Sequence, residues 1–195
     1  MIPEKILHEK GGILHKYLKH QVIFYEGNAA IMYYQIIEGS IKIISTHQNG
    51  KEFIQAIYNK GQSFGVPALL TGKPYPVTSL ANEPVTLIAL PREKFLEILK
   101  IYPKINLEFI KNLGLIIYNY SLIAKAIVEK NPEFKILTIL NIEKSRNEAE
   151  IPDKINLTRQ QIADMTGLRV ETVIRVIKRM EKKCILTIQK GKIYI

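Results

Sequence analysis

Leu157–Lys183 reads LTRQQIADMTGLRVETVIRVIKRMEKK, and its periodicity decides the fold. Thr158 followed by Gln161 is a capping-box pattern that starts a short helix. Gly167 then supplies a tight turn. In the helix that follows, Glu171, Arg175, Lys178 and Lys182 share one side at about 100° per residue, and Val173, Val176, Ile177 and Met180 share the opposite side. Such a helix docks on a core through its apolar side and presents charge outward. A helix, a turn and a basic second helix is the arrangement that sets a recognition helix in the DNA major groove. Residues 169–183 carry six Lys or Arg against Glu171 and Glu181, which concentrates positive charge on this one segment.

Working outward from that stretch, CILTIQ and KIYI flank Lys190-Gly191 and read as a small terminal hairpin, so the helix pair is of the winged variety. Cys184, where the wing begins, reads as a small buried apolar residue rather than a redox sensor. Upstream, residues 133–145 form an amphipathic helix and Arg146–Lys154 a polar loop. Asn131-Pro132 breaks the chain, because proline disfavours helix at the preceding residue, and the hinge between two domains is placed there. The expected domains are therefore 1–130 and 131–195.

The longest periodic stretch runs from about residue 104 to 129. Ile105, Phe109, Leu113, Ile116, Tyr120, Ile123 and Ile127 recur at steps of three and four, a near-heptad stripe expected to be a dimer seam. Leu107, Leu115, Ile117 and Leu122 beside it are expected to pack on the preceding domain. That domain, from about Val22 to Leu90, consists of short apolar runs punctuated by Glu26-Gly27-Asn28, Glu38-Gly39, Asn49-Gly50 and Lys60-Gly61. The spacing predicts antiparallel strands in a sandwich or barrel, with a hairpin at Asn49-Gly50. Residues 1–19 read as one or two short amphipathic helices broken at Gly11-Gly12, and Arg92–Leu99 as another short helix. The fold class is α+β.

Composition narrows the function classes. A chain of 195 residues with 47% hydrophobic residues can form one large or two modest cores. The formal net charge of +10 favours polyanionic partners. No apolar run approaches a membrane span, and the N-terminus lacks a signal-peptide core. The single cysteine excludes an intramolecular disulfide and an all-cysteine iron–sulfur cluster. A cytoplasmic protein is expected. The chain carries no GxGxxG, P-loop, zinc-spaced His/Cys set or nucleophile–base pair, so catalysis has no support.

With those residues in view, the chain resembles the Crp/Fnr family of bacterial transcription regulators, most closely at the run Val170–Arg175, V-E-T-V-I-R. Gly27, Gly39 and Gly61 fall where the family's β-roll turns. The resemblance implies an N-terminal antiparallel β-roll of the cyclic-nucleotide-binding type, jelly-roll-like, then a long dimerisation helix, then a winged helix–turn–helix. It further implies a homodimer on double-stranded DNA, contacts with RNA polymerase, and an inverted-repeat operator with a TGA-like half-site core. Glu171 and Arg175 become the base readers, with Ile174 and Val170 beside them. Thr158, Arg159, Gln160, Arg169, Lys178 and Lys182 become phosphate contacts. Ile174 stands where relatives often carry a small residue, and it either touches a thymine methyl or packs on the first helix. Arg169 replaces the expected Ser or Thr cap.

The phosphate-binding cassette implied by the resemblance corresponds to Gly61–Ala81, where Val66 replaces a glutamate, Tyr75 an arginine and Pro76 a serine. A cyclic phosphate needs a cation and donors, and Lys73 is the only cation in the stretch. Binding of cAMP is therefore not expected, and the effector, if there is one, is left unknown. His8, His15, His20 and His47 leave haem ligation open; no metal site is expected. The alternative function is a ligand-binding or protein-interaction module that senses a small molecule or haem and has only a secondary role on DNA.

Overall fold

The computed structural model describes residues 1–46, 52–146 and 154–195. Their contacts form two compact units, Met1–Gly114 and Leu115–Ile195. In the first unit, helix α1 (Glu4–Glu9) leads into strands β1 (Ile13–Tyr17), β2 (Val22–Phe24), β3 (Met32–Glu38), β4 (Ser40–Thr46), β5 (Glu52–Asn59) and β6 (Ser63–Phe64). Helix α2 (Val66–Thr71), strands β7 (Thr78–Ala81) and β8 (Val85–Pro91), and helix α3 (Arg92–Ile101) complete it. All pairings are antiparallel, in two four-stranded sheets of order β1-β8-β3-β6 and β2-β7-β4-β5. This is the expected β-roll. The Asn49-Gly50 hairpin and His47 lie outside the described residues, but the strands on either side of that turn are paired, Thr46 opposite Glu52.

The N-terminal expectation needs correction. Only Glu4–Glu9 is helical; Ile13–Tyr17 is a strand running along β8, with Ile13 opposite Ala89. Gly12 ends the helix, its N–H donating to the Leu7 carbonyl at 2.8 Å, and its bare backbone lies against Ile88, which a Cβ would meet at 2.8 Å. Strand pairing there overrides the helical periodicity of the flanking charges.

Helix α4 (Pro103–Val128) matches the predicted long helix, but the first half of the expected seam turns inward. Phe109 is buried, edge-on to Phe95 at 5.3 Å and to Tyr33 at 6.0 Å, and Ile105 and Leu113 pack against the same core. These three residues of the expected seam therefore hold α4 to the β-roll. Leu107, Leu115 and Ile117, expected to pack on that domain, are exposed. The stacked Tyr33–Phe95 pair, centroids 4.6 Å apart, forms the surface that receives Phe109. No periodicity of α4 alone identifies which stripe meets such a surface. Of the remaining seam residues, Ile116 and Ile123 are half-buried while Tyr120 and Ile127 are exposed.

The second unit contains the rest of α4, then helix α5 (Pro132–Arg146), strand β9 (Lys154–Ile155), helices α6 (Arg159–Thr166) and α7 (Val170–Lys182), and strands β10 (Thr187–Gln189) and β11 (Lys192–Tyr194). The last strands pair in the order β10-β11-β9. Lys190 and Gly191, at φ 47° and 78°, make the tight turn between β10 and β11 that the hairpin requires. Among the described residues no helix is long and apolar enough to cross a membrane, and no His, Cys, Asp or Glu cluster could hold a metal ion.

Candidate nucleic-acid interface

Helix α6 starts as its sequence predicts. The Gln161 N–H donates to Thr158 Oγ1 at 3.1 Å, and the Thr158 N–H donates to Gln161 Oε1 at 2.8 Å. This reciprocal cap satisfies two otherwise orphaned donors. Gly167, at φ 70°, closes the helix in the left-handed region that glycine enters without strain. Arg169 then caps α7 with extended backbone and no side-chain hydrogen bond, as its residue type implies.

The seating of α7 follows its apolar side. Val173, Ile177 and Met180 are fully buried and Val176 nearly so, against α5 and α6. At roughly 1.5–3 kcal/mol for each large apolar side chain removed from water, this face fixes the roll angle of the helix. The opposite side is thereby forced outward: Glu171, Arg175, Lys178 and Lys182 are exposed, and with Ile174 and Arg179 they line one shallow groove. The side chains of Glu171 and Arg175 are in no hydrogen bond or ion pair among the described residues, so both termini are available. Ile174 is 40% exposed and lines the same groove. Val170, at the first position of the helix, is half-buried beside Glu171.

The phosphate candidates divide. Lys178, Lys182 and Arg169 are exposed and uncommitted among the described residues. The side chain of Gln160 instead donates to Asp164 at 2.9 Å, one turn along α6. Thr158 Oγ1 is engaged in the cap. Arg159 is half-buried; burial pulls its guanidinium below the ordinary value while the nearby Glu181 carboxylate raises it. What these residues offer an anion is chiefly the N-terminus of α6.

Two carboxylates brace the flanks of α7 through partners that the local sequence does not announce. Glu181 Oε1 accepts the Ile188 N–H at 3.2 Å, tying α7 to β10 of the wing. Glu133 of α5 pairs with Lys183 and Arg179. Both partnerships join residues far apart in sequence or on different elements, so no local pattern announces them. Cys184 is exposed at φ 57°, contrary to the buried role expected of it, because it terminates α7 in the left-handed region with its N–H on the Glu181 carbonyl.

The cassette Gly61–Ala81 is ordered as β6, α2 and β7, none of which the sequence reading separated. Val66 is buried. The Tyr75 ring lies 3.7 Å from that of Phe24 at an interplanar angle of 9°, and its hydroxyl donates to the Met32 carbonyl at 3.4 Å. A Cβ on Gly65 would meet the Tyr75 ring at 2.9 Å, so the phenol fills the cradle next to the bare backbone. Burial raises the Tyr75 phenol well above its ordinary value. Pro76 and Lys73 are exposed. A second cation does come near, Arg92 from the start of α3, but its guanidinium donates to the carbonyls of Leu69 and Leu70 at the end of α2. His8, His15 and His20 are exposed on the surface.

Comparison with known proteins agrees with this anatomy. A cyclic nucleotide-binding domain model matches residues 14–102, and a Crp-like helix-turn-helix domain model matches residues 135–195. The chain is 26% identical over 178 residues to the cAMP-activated global transcriptional regulator CRP of Pasteurella multocida, covering 89% of this chain and 85% of that one. It is 24% identical over 189 residues to the global nitrogen regulator of a Nostoc species, covering 94% and 85%. Among solved structures, FixK2 from Bradyrhizobium japonicum superposes with a TM-score of 0.78 at 19% identity, covering 94% of this chain and 92% of that one, which supports the fold. With a β-roll, a long helix and a winged helix–turn–helix in that order, and with both domain models matched, the chain belongs to the Crp/Fnr family of DNA-binding transcription regulators.

Proposed function

We propose that the protein is a homodimeric, sequence-specific regulator whose two α7 helices enter successive major grooves of an inverted-repeat operator. The observation that carries this reading is the outward face of α7, where Glu171 and Arg175 stand one turn apart and uncommitted, with Lys178 and Lys182 beside them. Arg175 makes a bidentate contact to guanine O6 and N7, Glu171 accepts from cytosine N4, and Ile174 and Val170 supply apolar contact to a thymine methyl. Lys178, Lys182 and Arg169 meet phosphates, joined by the Arg159 guanidinium and by the backbone N–H groups that open α6 near Thr158 and Gln160. Such a regulator acts in the cytoplasm, where RNA polymerase is its expected partner.

The dimer seam is assigned to the exposed face of α4. Leu107, Ile110, Gly114, Ile117, Ser121, Ala124 and Val128 follow alternating steps of three and four and are all exposed. That heptad stripe has small residues at Gly114, Ser121 and Ala124, where two helices can approach closely. Ile105, Phe109 and Leu113 are committed to the β-roll core, so that first half of the near-heptad stripe does not serve as the seam.

Cyclic nucleotide is not the effector. Tyr75 and Phe24 occupy the cradle with their own rings, and the nearby Arg92 is held by backbone carbonyls. Binding to DNA therefore requires no cAMP, unlike the activation named for the Pasteurella relative. The test is Arg175→Ala, measured on a selected operator duplex and on random duplex. A loss of about 1–3 kcal/mol on the operator with little change on random DNA is expected. Equal loss on both would remove the base-reading role.

A further inference from the structure

Glu133 sits in the first turn of α5, its N–H donating to Asn131 Oδ1 at 3.0 Å, and its side chain is only 18% exposed. Its Oε1 and Oε2 accept from Lys183 Nζ at 3.1 and 3.0 Å, and Oε2 lies 3.5 Å from the Arg179 guanidinium. On α7, Arg179 and Lys183 are one turn apart and rotated by roughly 80–120° from Glu171. They stand at the margin between the docking face and the charged groove, with side chains 55% and 52% exposed. Arg179 is itself part of the groove wall. Two cations at the edge of the charged groove are thus already matched to an internal carboxylate, while Arg169, Arg175, Lys178 and Lys182 are not.

We infer that Glu133 limits the sequence-independent DNA affinity of α7: it occupies Arg179 and Lys183 on the flank of α7 and withholds them from phosphates. The inference rests on α7 being the DNA-recognition helix. Phosphate contacts carry no sequence information and strengthen binding to every duplex alike. Two extra ones raise the affinity for every duplex and make that affinity depend more on salt. By keeping those contacts unmade, Glu133 leaves a larger share of the binding free energy with Glu171 and Arg175.

The experiment is the salt dependence of binding by the full chain to a random-sequence duplex, wild type against Glu133→Gln. If the Glu133→Gln substitution releases both cations, the log–log slope steepens by about 1.8, so a fourfold rise in salt weakens the variant by about 12-fold more than the wild type. The slope on a selected duplex steepens by the same amount, so the ratio of the two affinities is kept. Introduced into an Arg179→Ala/Lys183→Ala background, Glu133→Gln leaves the slope unchanged. The Arg179→Ala/Lys183→Ala protein with Glu133 intact keeps the wild-type slope, and this variant tests the idea even where Glu133→Gln is too unstable to assay. A purely structural role for Glu133 would lower the melting temperature without steepening the slope. The inference is overturned by an unchanged slope in Glu133→Gln, or by a slope reduced by about two contacts in Arg179→Ala/Lys183→Ala. Wild-type protein that binds no duplex at all refutes the reading of α7 and the inference together, whereas binding with an unchanged slope refutes the inference alone.

Discussion

Replacing Tyr75 with alanine probes the cradle that a ligand would otherwise fill. Tyr75 is 3% exposed, its ring is stacked on Phe24, and its edge closes on the backbone of Gly65. Truncating a buried aromatic to alanine costs about 3–5 kcal/mol, from lost burial and from the cavity left behind. The stacked pair contributes about 0.5–1.5 kcal/mol of that. Against a total stability of roughly 5–15 kcal/mol, the β-roll should retain its fold but unfold at much lower denaturant. The assay is guanidinium unfolding followed by tyrosine fluorescence and far-UV circular dichroism, the two probes guarding against separate transitions of the two compact units. A cycle with Phe24→Leu should give a coupling of at least about 0.5 kcal/mol. Adding p-cresol, which matches the deleted ring, should restore part of the lost stability to Tyr75→Ala by occupying the vacated space. A cost under about 1 kcal/mol, with additive single mutants, would show that the ring is not the packing element argued here.

Glu143 of α5 is 2% exposed with Oε2 unpartnered among the described residues; burial raises its carboxyl above the ordinary carboxylate range, partly opposed by Arg146. Because the folded state then holds the proton more tightly than the unfolded one, its contribution is present at acidic pH and is lost as pH rises through the raised value. Glu143→Gln should accordingly melt higher than wild type at about pH 8 and much closer to it at about pH 5, and a constant offset at both pH values would refute this. Ile117→Glu puts a charge on the exposed α4 stripe proposed as the seam and should sediment as a monomer where wild type sediments as a dimer, with the β-roll's circular dichroism preserved. Thr158→Ala removes one half of the capping box and should cost about 1 kcal/mol in thermal or denaturant unfolding.

The legible parts of the fold were those written in short-range pattern. The α6 cap, the Gly167 turn, the buried stripe of α7 and the Lys190-Gly191 turn all follow from residues within a few positions of one another, and each is found as read. The helical break at Asn131-Pro132 is found too, with Asn131 accepting the Glu133 N–H to start α5. What escaped depended on distant partners. Ile13–Tyr17 is a strand because β8 is there to pair with it, and α4 turns Phe109 inward because Tyr33 and Phe95 present a stacked surface. The cassette substitutions were visible as a missing cation. The stacking of Tyr75 on Phe24, some fifty residues earlier, was not. On α7, the outward residues were legible from helical angle alone. The carboxylates that brace its flanks were not, since Glu133 reaches Arg179 and Lys183 from α5 and Glu181 holds the wing.

The central claim is that α7 reads an inverted repeat without an added effector. In vitro selection from a random duplex pool by the purified full chain, with no ligand present, tests it most directly. The account predicts enrichment of two inverted half-sites with centres about one helical turn, roughly 10 base pairs, apart. Enrichment of nothing, or enrichment that appears only after cAMP is added, would contradict it.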